Sequence, residues 1–221
     1  SNKMFKNMQS QMHGFTFENS IRSKIFNLPK ENNSVYIHDI HHSKNILNMN
    51  ENVSIKTTGS NTICCGDILR FYDYDFLKTN TIIVIKYDQV SNEKIIKNIY
   101  EIDYNKECHK LLFGELTYNK IKDYDLYIKN IPKGKVSYNE KNKYLKYKKE
   151  LEKDNNCLIK INPKVDSKYQ RRVQCSISNF EDNLYNFIKY KSPYETPNMI
   201  RGNMIELSIK SHKRVRNSKT K

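Results

Sequence analysis

The chain has no tryptophan, six glycines and five prolines among its 221 residues. So little Gly and Pro excludes a collagen-like or linker-like chain. Tyrosine and phenylalanine must supply the aromatic part of any core. Five cysteines occur, Cys64, Cys65, Cys108, Cys157 and Cys175. An odd number without regular spacing argues against a disulfide framework, and the lack of a CxxC pair argues against a zinc ribbon. Buried, reduced thiols in an intracellular protein are the simpler reading. No apolar run approaches the ~18 residues of a membrane span, so no membrane partner is expected. No signal peptide is visible, no Gly-rich phosphate loop of the P-loop or dinucleotide type appears, and no internal repeat is apparent.

Acid is scarce as well. The chain carries 39 Lys plus Arg against 24 Asp plus Glu, a net charge of +15. A charge that large predicts attraction to DNA, RNA or an anionic membrane surface. The heavy use of Asn, Lys, Ile and Tyr also suits an AT-rich genome, viral or cellular, in which case lysine content reflects codon bias and only aids solubility. Nucleic acid, met in the cytoplasm, nucleoid or nucleus, is the reading adopted.

What is present suffices for a core. Apolar residues make up 37% of the chain, with 16 Tyr and 9 Phe, in a length that suits one sizeable domain. Phe17, Ile21, Ile25 and Leu28 form one apolar stripe, which predicts a helix entered at Gly14 and Thr16 and closed by Pro29. VYIHDI (35–40) and NVSIKT (52–57) read as short strands. The spacing over 63–76 predicts a helix, with a strand over 63–72 as the alternative. TIIVIKY (81–87) is apolar on both faces, as a central strand must be, and KIIKNIYEIDY can pair with it through the VSNE turn. Further on, the pattern predicts a helix inside 111–132, a charged helix over 137–154, strands at CLIKINP and RRVQCSIS around a VDSKYQ loop, an amphipathic helix over 179–190 and a last strand over 203–211. The basic tail HKRVRNSKTK ends the chain. The mixture implies an α/β or α+β fold with a central mixed sheet flanked by helices.

Three pieces of this pattern can carry chemistry together. Glu18 lies at the edge of the first apolar stripe, Asp39 ends a strand, and Ser54 and Lys56 lie on the next strand, where alternation turns positions 54 and 56 the same way. Two carboxylates holding Mg²⁺ beside a lysine is what metal-dependent phosphodiester hydrolysis asks for. The order of helix Glu, strand Asp, x-x-Lys strand, helix and buried strand resembles the PD-(D/E)XK nuclease superfamily, which includes many type II restriction endonucleases. The resemblance covers roughly residues 14–88. It implies a restriction-endonuclease-like core in which Asp39 and Glu18 bind Mg²⁺, Lys56 supports the attacking water, and Ser54 assists where the family usually has an acid. The family usually also has an extra strand between helix and aspartate, for which residues 29–35 leave little room. The resemblance further implies a Mg²⁺-dependent DNA endonuclease, site-specific and homodimeric, in one domain over 1–211. Its catalytic half would run about 14–88 and its DNA-contacting half about 110–211. A non-catalytic nucleic-acid-binding protein with a degenerate core is the alternative, favoured by Ser54.

Rival sites lie elsewhere in the sequence. Asp67 with Lys86 repeats the Asp, x-x-Lys order, though Asp67 also suits a helix N-terminus. Lys164, Lys168, Gln170, Arg171 and Arg172 flank a strand-loop-strand and suit contacts to phosphates and base edges, with a solvated hairpin as the plain alternative. HDIHH (His38, His41, His42) hints at a metal cluster but lacks the distant His and Asp that the HD phosphohydrolases need. The lysine-rich helix over 138–153 reads most simply as a solvated face.

Overall fold

The computed structural model describes residues 16–30 and 38–211. Gly14, the first half of the 35–40 segment and the basic tail from residue 212 lie outside the described residues. Helix α1 (Phe17–Lys24) starts as expected: the Thr16 hydroxyl accepts the Asn19 N–H at 3.1 Å and caps it. Its stripe of Phe17, Ile21 and Ile25 is buried.

The central sheet has the strand order β1 (Glu51–Thr58), β3 (Thr79–Val90), β4 (Glu93–Asp103) and β10 (Ser208–Lys210), with β7 (Ile188–Lys191) also on β4. It is mixed, because β1 runs parallel to β3 while β3–β4 is antiparallel. β3 is the buried middle strand that its apolar run requires. Ile83 and Ile85 pack on one face with α1, Val53 and Ile55. Ile82 and Val84 pack on the other face. Each such isoleucine, fully buried, contributes about 1.5–3 kcal/mol.

That second face is covered by a three-stranded sheet, ordered β2 (Ile63–Asp67), β6 (Arg171–Ile177) and β5 (Ile159–Val165). Helices α2 (Ile68–Tyr72), α3 (Lys106–Phe113), α4 (Tyr118–Lys129) and α5 (Tyr138–Asp154) complete the layer, supplying Phe71, Leu112, Ile128 and Tyr144 among others to the same cluster. Ile159, Ile161, Val173, Cys175 and Ile177 point into this core. All five cysteines are free, and only Cys64 is exposed.

Four expectations are corrected. The segment 63–76 is not one helix: the strand alternative holds over Ile63–Asp67, where Ile63 and Cys65 alternate inward, and a short helix holds over Ile68–Tyr72. Gly66, at φ +75°, then makes a bulge opposite Cys175, and Asp67 caps the short α2. Of the 35–40 strand, residues 38–39 form a bend, and only Ile40 makes a bridge, to Val53. The 179–190 helix breaks into α6 (Phe180–Asn183), a 3₁₀ turn (Tyr185–Phe187) and β7, because the free edge of β4 captures Ile188–Lys191. Leu184 nonetheless points inward and is buried. The last strand is split: β8 (Met199–Ile200) and β9 (Asn203–Met204) form a hairpin before β10. The hairpin is held by Arg201, which donates to both carboxylate oxygens of Glu51 at 2.9 Å and to Glu101 at 2.8 and 2.9 Å.

Candidate functional site

Of the predicted catalytic residues, Ser54 and Lys56 lie on β1, an edge strand of the central sheet, and Asp39 bonds to that strand. Val53 and Ile55 turn toward α1, so Ser54 and Lys56 turn to the opposite face, beside their register partners Ile82 and Val84. Outside β1, Ile40 and Val53 exchange two backbone hydrogen bonds of 2.9 Å. The preceding residues then leave the ladder. The Asp39 carboxylate takes the place of the missing backbone acceptor, and Oδ2 receives the Ile55 N–H at 2.6 Å. Asp39 is gripped from behind as well: the largely buried Arg22 guanidinium donates to the Asp39 carbonyl, and to Pro29 O at 3.2 Å. α1 thus fixes the aspartate through its backbone and leaves Oδ1 without a hydrogen bond among the described residues.

Glu18 lies one turn before Arg22 on α1, on the same helix face. It is half-buried and makes no hydrogen bond or ion pair among the described residues. Burial pushes its carboxyl above the usual 4.5, the Asp39 carboxylate pushes it further, and Lys56 partly offsets both. Glu18, Asp39 and Lys56 therefore share one electrostatic neighbourhood. Lys56 is half-buried and also lacks a hydrogen bond or ion pair among the described residues. Leaving charged groups this deep without partners costs stability unless something else binds them.

Ser54 differs from its expected place. It is 1% exposed, and its hydroxyl lies 3.3 Å from His38 Nδ1 and 3.3 Å from the Tyr74 hydroxyl. It is committed to an internal polar chain and does not join Lys56 in facing open space. The reason is β1's position over the aromatic cluster of Tyr74, Phe71 and Tyr104. His38, read from the sequence only as part of a metal-cluster hint, bonds Ser54 and packs on Tyr74 instead. Its ring meets Tyr74 edge-on at 4.9 Å. Burial, then His41, lower its pKa to about 4, so the imidazole is neutral at pH 7. The only sequence signal of this role was its place next to Asp39. The rest of HDIHH does not join it: His41 and His42 stack on each other at 4.1 Å and bond locally, to Ser43 and to Met49 O.

The donor set bears on Mg²⁺ directly. Among the described residues, no group of three or more His, Cys, Asp or Glu side chains is arranged to hold a metal. Mg²⁺ does not need one: it commonly takes one or two carboxylates and completes its shell with water and phosphate oxygens. Glu18 and Asp39 meet that minimum in number, and a divalent cation would relieve both the burial that chiefly raises Glu18 and the smaller push from Asp39.

The rival assignment does not survive as a site. Lys86 Nζ is paired with Glu181 at 2.7 Å and bonded to Asn61. Asp67 accepts the Arg70 N–H at 3.0 Å as the cap of α2. Of the five residues predicted to contact nucleic acid, Lys164, Lys168 and Arg172 are exposed and Gln170 is half-buried. Arg171 is a correction: it is 4% exposed, and its guanidinium donates to the carbonyls of Ile131, Pro132, Gly134, Asp166 and Gln170. Alternation along β6 sends Arg171 inward and Arg172 outward. The lysine-rich α5 is exposed along most of its length, burying only Tyr144 fully.

A groove of about 510 Å³ lies at the start of β3 and the end of β4, and none of the predicted residues lines it. No helix among the described residues is long and apolar enough to cross a membrane. Comparison with protein-family models, with curated proteins and with solved structures finds no match to the chain.

Proposed function

We propose that the chain is a Mg²⁺-dependent endonuclease of the PD-(D/E)XK kind, acting on DNA, with Glu18, Asp39 and Lys56 as its working residues. The observation that carries this reading is the trio itself. A half-buried glutamate and a half-buried lysine, neither with a hydrogen bond or ion pair among the described residues, stand with a backbone-clamped aspartate, and the glutamate feels the charge of both. The topology supports the same reading. α1, a single antiparallel bridge at Ile40 in place of the aspartate strand, β1, a crossover containing β2 and α2, and the parallel β3 follow in an order compatible with a restriction-endonuclease-like core.

Glu18 and Asp39 would hold Mg²⁺, which lowers the pKa of a bound water and offsets charge on the phosphate. Lys56, whose ammonium has no hydrogen bond or ion pair among the described residues, orients the attacking water and stabilises negative charge developing on a phosphoryl oxygen. Arg22 and the Ile55 N–H keep Asp39 in place. His38 and Tyr74 take up the Ser54 hydroxyl, so the position where an acid is usual acts as part of the scaffold. A homodimer follows by analogy, since cutting both strands at a symmetric site suits two-fold symmetry.

The test is cleavage of supercoiled plasmid with Mg²⁺ and with EDTA, for the parent, Lys56→Ala and Asp39→Ala. Cleavage by the parent with Mg²⁺ alone, lost in both variants, is the expected result. Variants that cut as fast as the parent refute the assignment. A second reading, a nucleic-acid-binding protein with a degenerate core, is favoured by Ser54, a neutral residue where an acid is usual, and by the lack of a three-ligand metal group among the described residues. It expects salt-sensitive binding and no metal-dependent cleavage.

A further inference from the structure

The three-stranded sheet has two unlike faces. Its inner face is apolar, and its outer face carries the alternate residues of the same strands. On β5 these are Lys160, Asn162 and Lys164, with Lys160 and Lys164 exposed and Asn162 half-exposed. On β6 they are Arg172, exposed, Gln174, half-exposed, and Ser176, which is largely covered. Register sets them in rows: Lys160 beside Ser176, Asn162 beside Gln174, and Lys164 beside Arg172. In the two cationic positions of the last row like charges sit side by side, which costs stability with no internal return. The acid on this face, Asp67 beside Gln174, is engaged by the Arg70 N–H.

The face continues past the ends of β5 and β6. The Gly134 N–H donates to Lys168 O at 2.5 Å, and Lys133 Nζ donates to Tyr169 O at 2.9 Å. The 131–135 segment is thereby docked on the 166–170 loop. Arg171 joins the two, with carbonyls of Ile131, Pro132 and Gly134 on one side and of Asp166 and Gln170 on the other. A buried arginine with all five N–H groups spent on two loops fixes their shape. What they present outward is Lys133, Lys135 and Lys168, all exposed, and Tyr169, 73% exposed.

We propose that this outer sheet face, with its two locked loops, is a nucleic-acid-binding platform. Lys160, Lys164, Arg172, Lys168 and Lys135 would contact the phosphate backbone, and Tyr169 would stack an unpaired base. The occupant follows from the chemistry. The platform joins a run of cations with two acids, Asp67 engaged by the Arg70 N–H and Asp166 by the Lys168 and Gln170 N–H groups, side-chain amides in the middle row, and a tyrosine held out in solvent at its end. Cations that track a backbone beside an exposed aromatic are how unpaired strands are bound without sequence preference. The proposal shares with the nuclease reading the premise that the chain meets nucleic acid. It does not use Glu18, Asp39 or Lys56.

The experiment is fluorescence anisotropy in EDTA, where cleavage cannot interfere, so that loss of catalysis and loss of this surface are read separately. The probe is a fluorescein-labelled DNA strand of about 20 nucleotides, or its duplex, titrated from roughly 50 to 200 mM salt. A triple variant, Lys164→Gln with Lys168→Gln and Arg172→Gln, is expected to weaken single-strand binding roughly 30-fold or more. It should also lower the salt slope by about 2, since each phosphate contact on a single strand is worth about 0.7. Tyr169→Ala is expected to cost roughly 10-fold on the single strand and little on the duplex, as stacking requires an unpaired base. A control triple on the exposed face of α5, Lys141→Gln with Lys143→Gln and Lys149→Gln, removes the same charge and is expected to cost under about 3-fold. The altered side chains are solvent-exposed, so unchanged circular dichroism is expected throughout. The platform is refuted if the α5 control weakens binding as much as the sheet triple. It is also refuted if Tyr169→Ala leaves single-strand binding intact, or if the parent binds neither probe at low salt.

Discussion

Lys56 and Lys86 end similar stretches of adjacent parallel strands, two register steps apart, and are used in opposite ways. Lys86 is spent inside the protein, on Glu181 and Asn61. Lys56 is held half-buried with no hydrogen bond or ion pair among the described residues and with a desolvated glutamate nearby. Both fit the same x-x-Lys pattern. What separates them is the supply of carboxylate around each. Asp67 is consumed as a helix cap and Glu181 as a counter-ion, whereas Asp39 and Glu18 keep oxygen valence to spare. The same contrast recurs between neighbours on β6: Arg171 is spent on five carbonyls, and Arg172 is spent on nothing that the described residues offer. A cation that satisfies its own fold is a poor candidate for a site, and one left unsatisfied at a cost is a good one.

Stability measurements can break that contrast. The largest effect is expected at Arg171. Arg171→Met strands several buried carbonyls and uncouples the 131–135 and 166–170 segments, at a cost of about 3 kcal/mol or more. Arg172→Met should stay within about 0.5 kcal/mol. Equal losses in urea melts would show that burial does not separate the pair. A step smaller, Lys86→Met leaves Glu181 half-buried without its partner and should cost about 1–2 kcal/mol. The matching Lys56→Met should cost little or add stability.

Acid sensitivity sharpens the comparison between spent and unspent carboxylates. Burial pushes Glu51 up, but hydrogen bonds from Arg201, Thr81 and Asn45 outweigh it and hold its carboxyl below 4.5. Lys86 holds Glu181 below 4.5 in the same sense. A depressed acid stabilises the fold above its unfolded pKa and loses that contribution as pH falls through its folded value. Unfolding free energy should therefore drop as pH falls below about 4.5, and Glu51→Gln should flatten the drop. Glu18 is shifted the other way, so its ionisation works against folding as pH rises past 4.5. The smallest effect follows: Glu18→Gln should cost no stability and gain under about 1 kcal/mol near neutral pH, while abolishing metal-dependent cleavage. A Glu18→Gln protein that melts earlier than the parent would mean that the carboxylate is structural.

The pattern of the sequence made part of this legible, and the reasons are local. The α1 stripe, the two-faced β3 and the alternation along β5 and β6 are set by side-chain period and burial, and they appear as expected. Chain order put Glu18, Asp39 and Lys56 forward as candidates, but alternation alone does not join them, since α1 packs on the Val53 and Ile55 face and Lys56 turns to the other. The 179–190 segment was misread because a helical period and a strand partner competed, and the open edge of β4 prevailed. Arg171 was misread because charge gave no hint that five carbonyls from distant turns would converge on it. Ser54 and His38 were misplaced because their partner, Tyr74, lies beyond a strand and a helix whose boundaries the pattern blurred.

The central claim is that Lys56 works on a substrate and Lys86 works on the fold. Plasmid cleavage in Mg²⁺ by Lys56→Met and Lys86→Met, each measured below its own melting transition, tests it most directly. The account expects Lys56→Met to lose roughly 100-fold or more in cleavage rate and Lys86→Met to cut at a rate near the parent's. Equal rates in the two variants, or a loss confined to Lys86→Met, would contradict it.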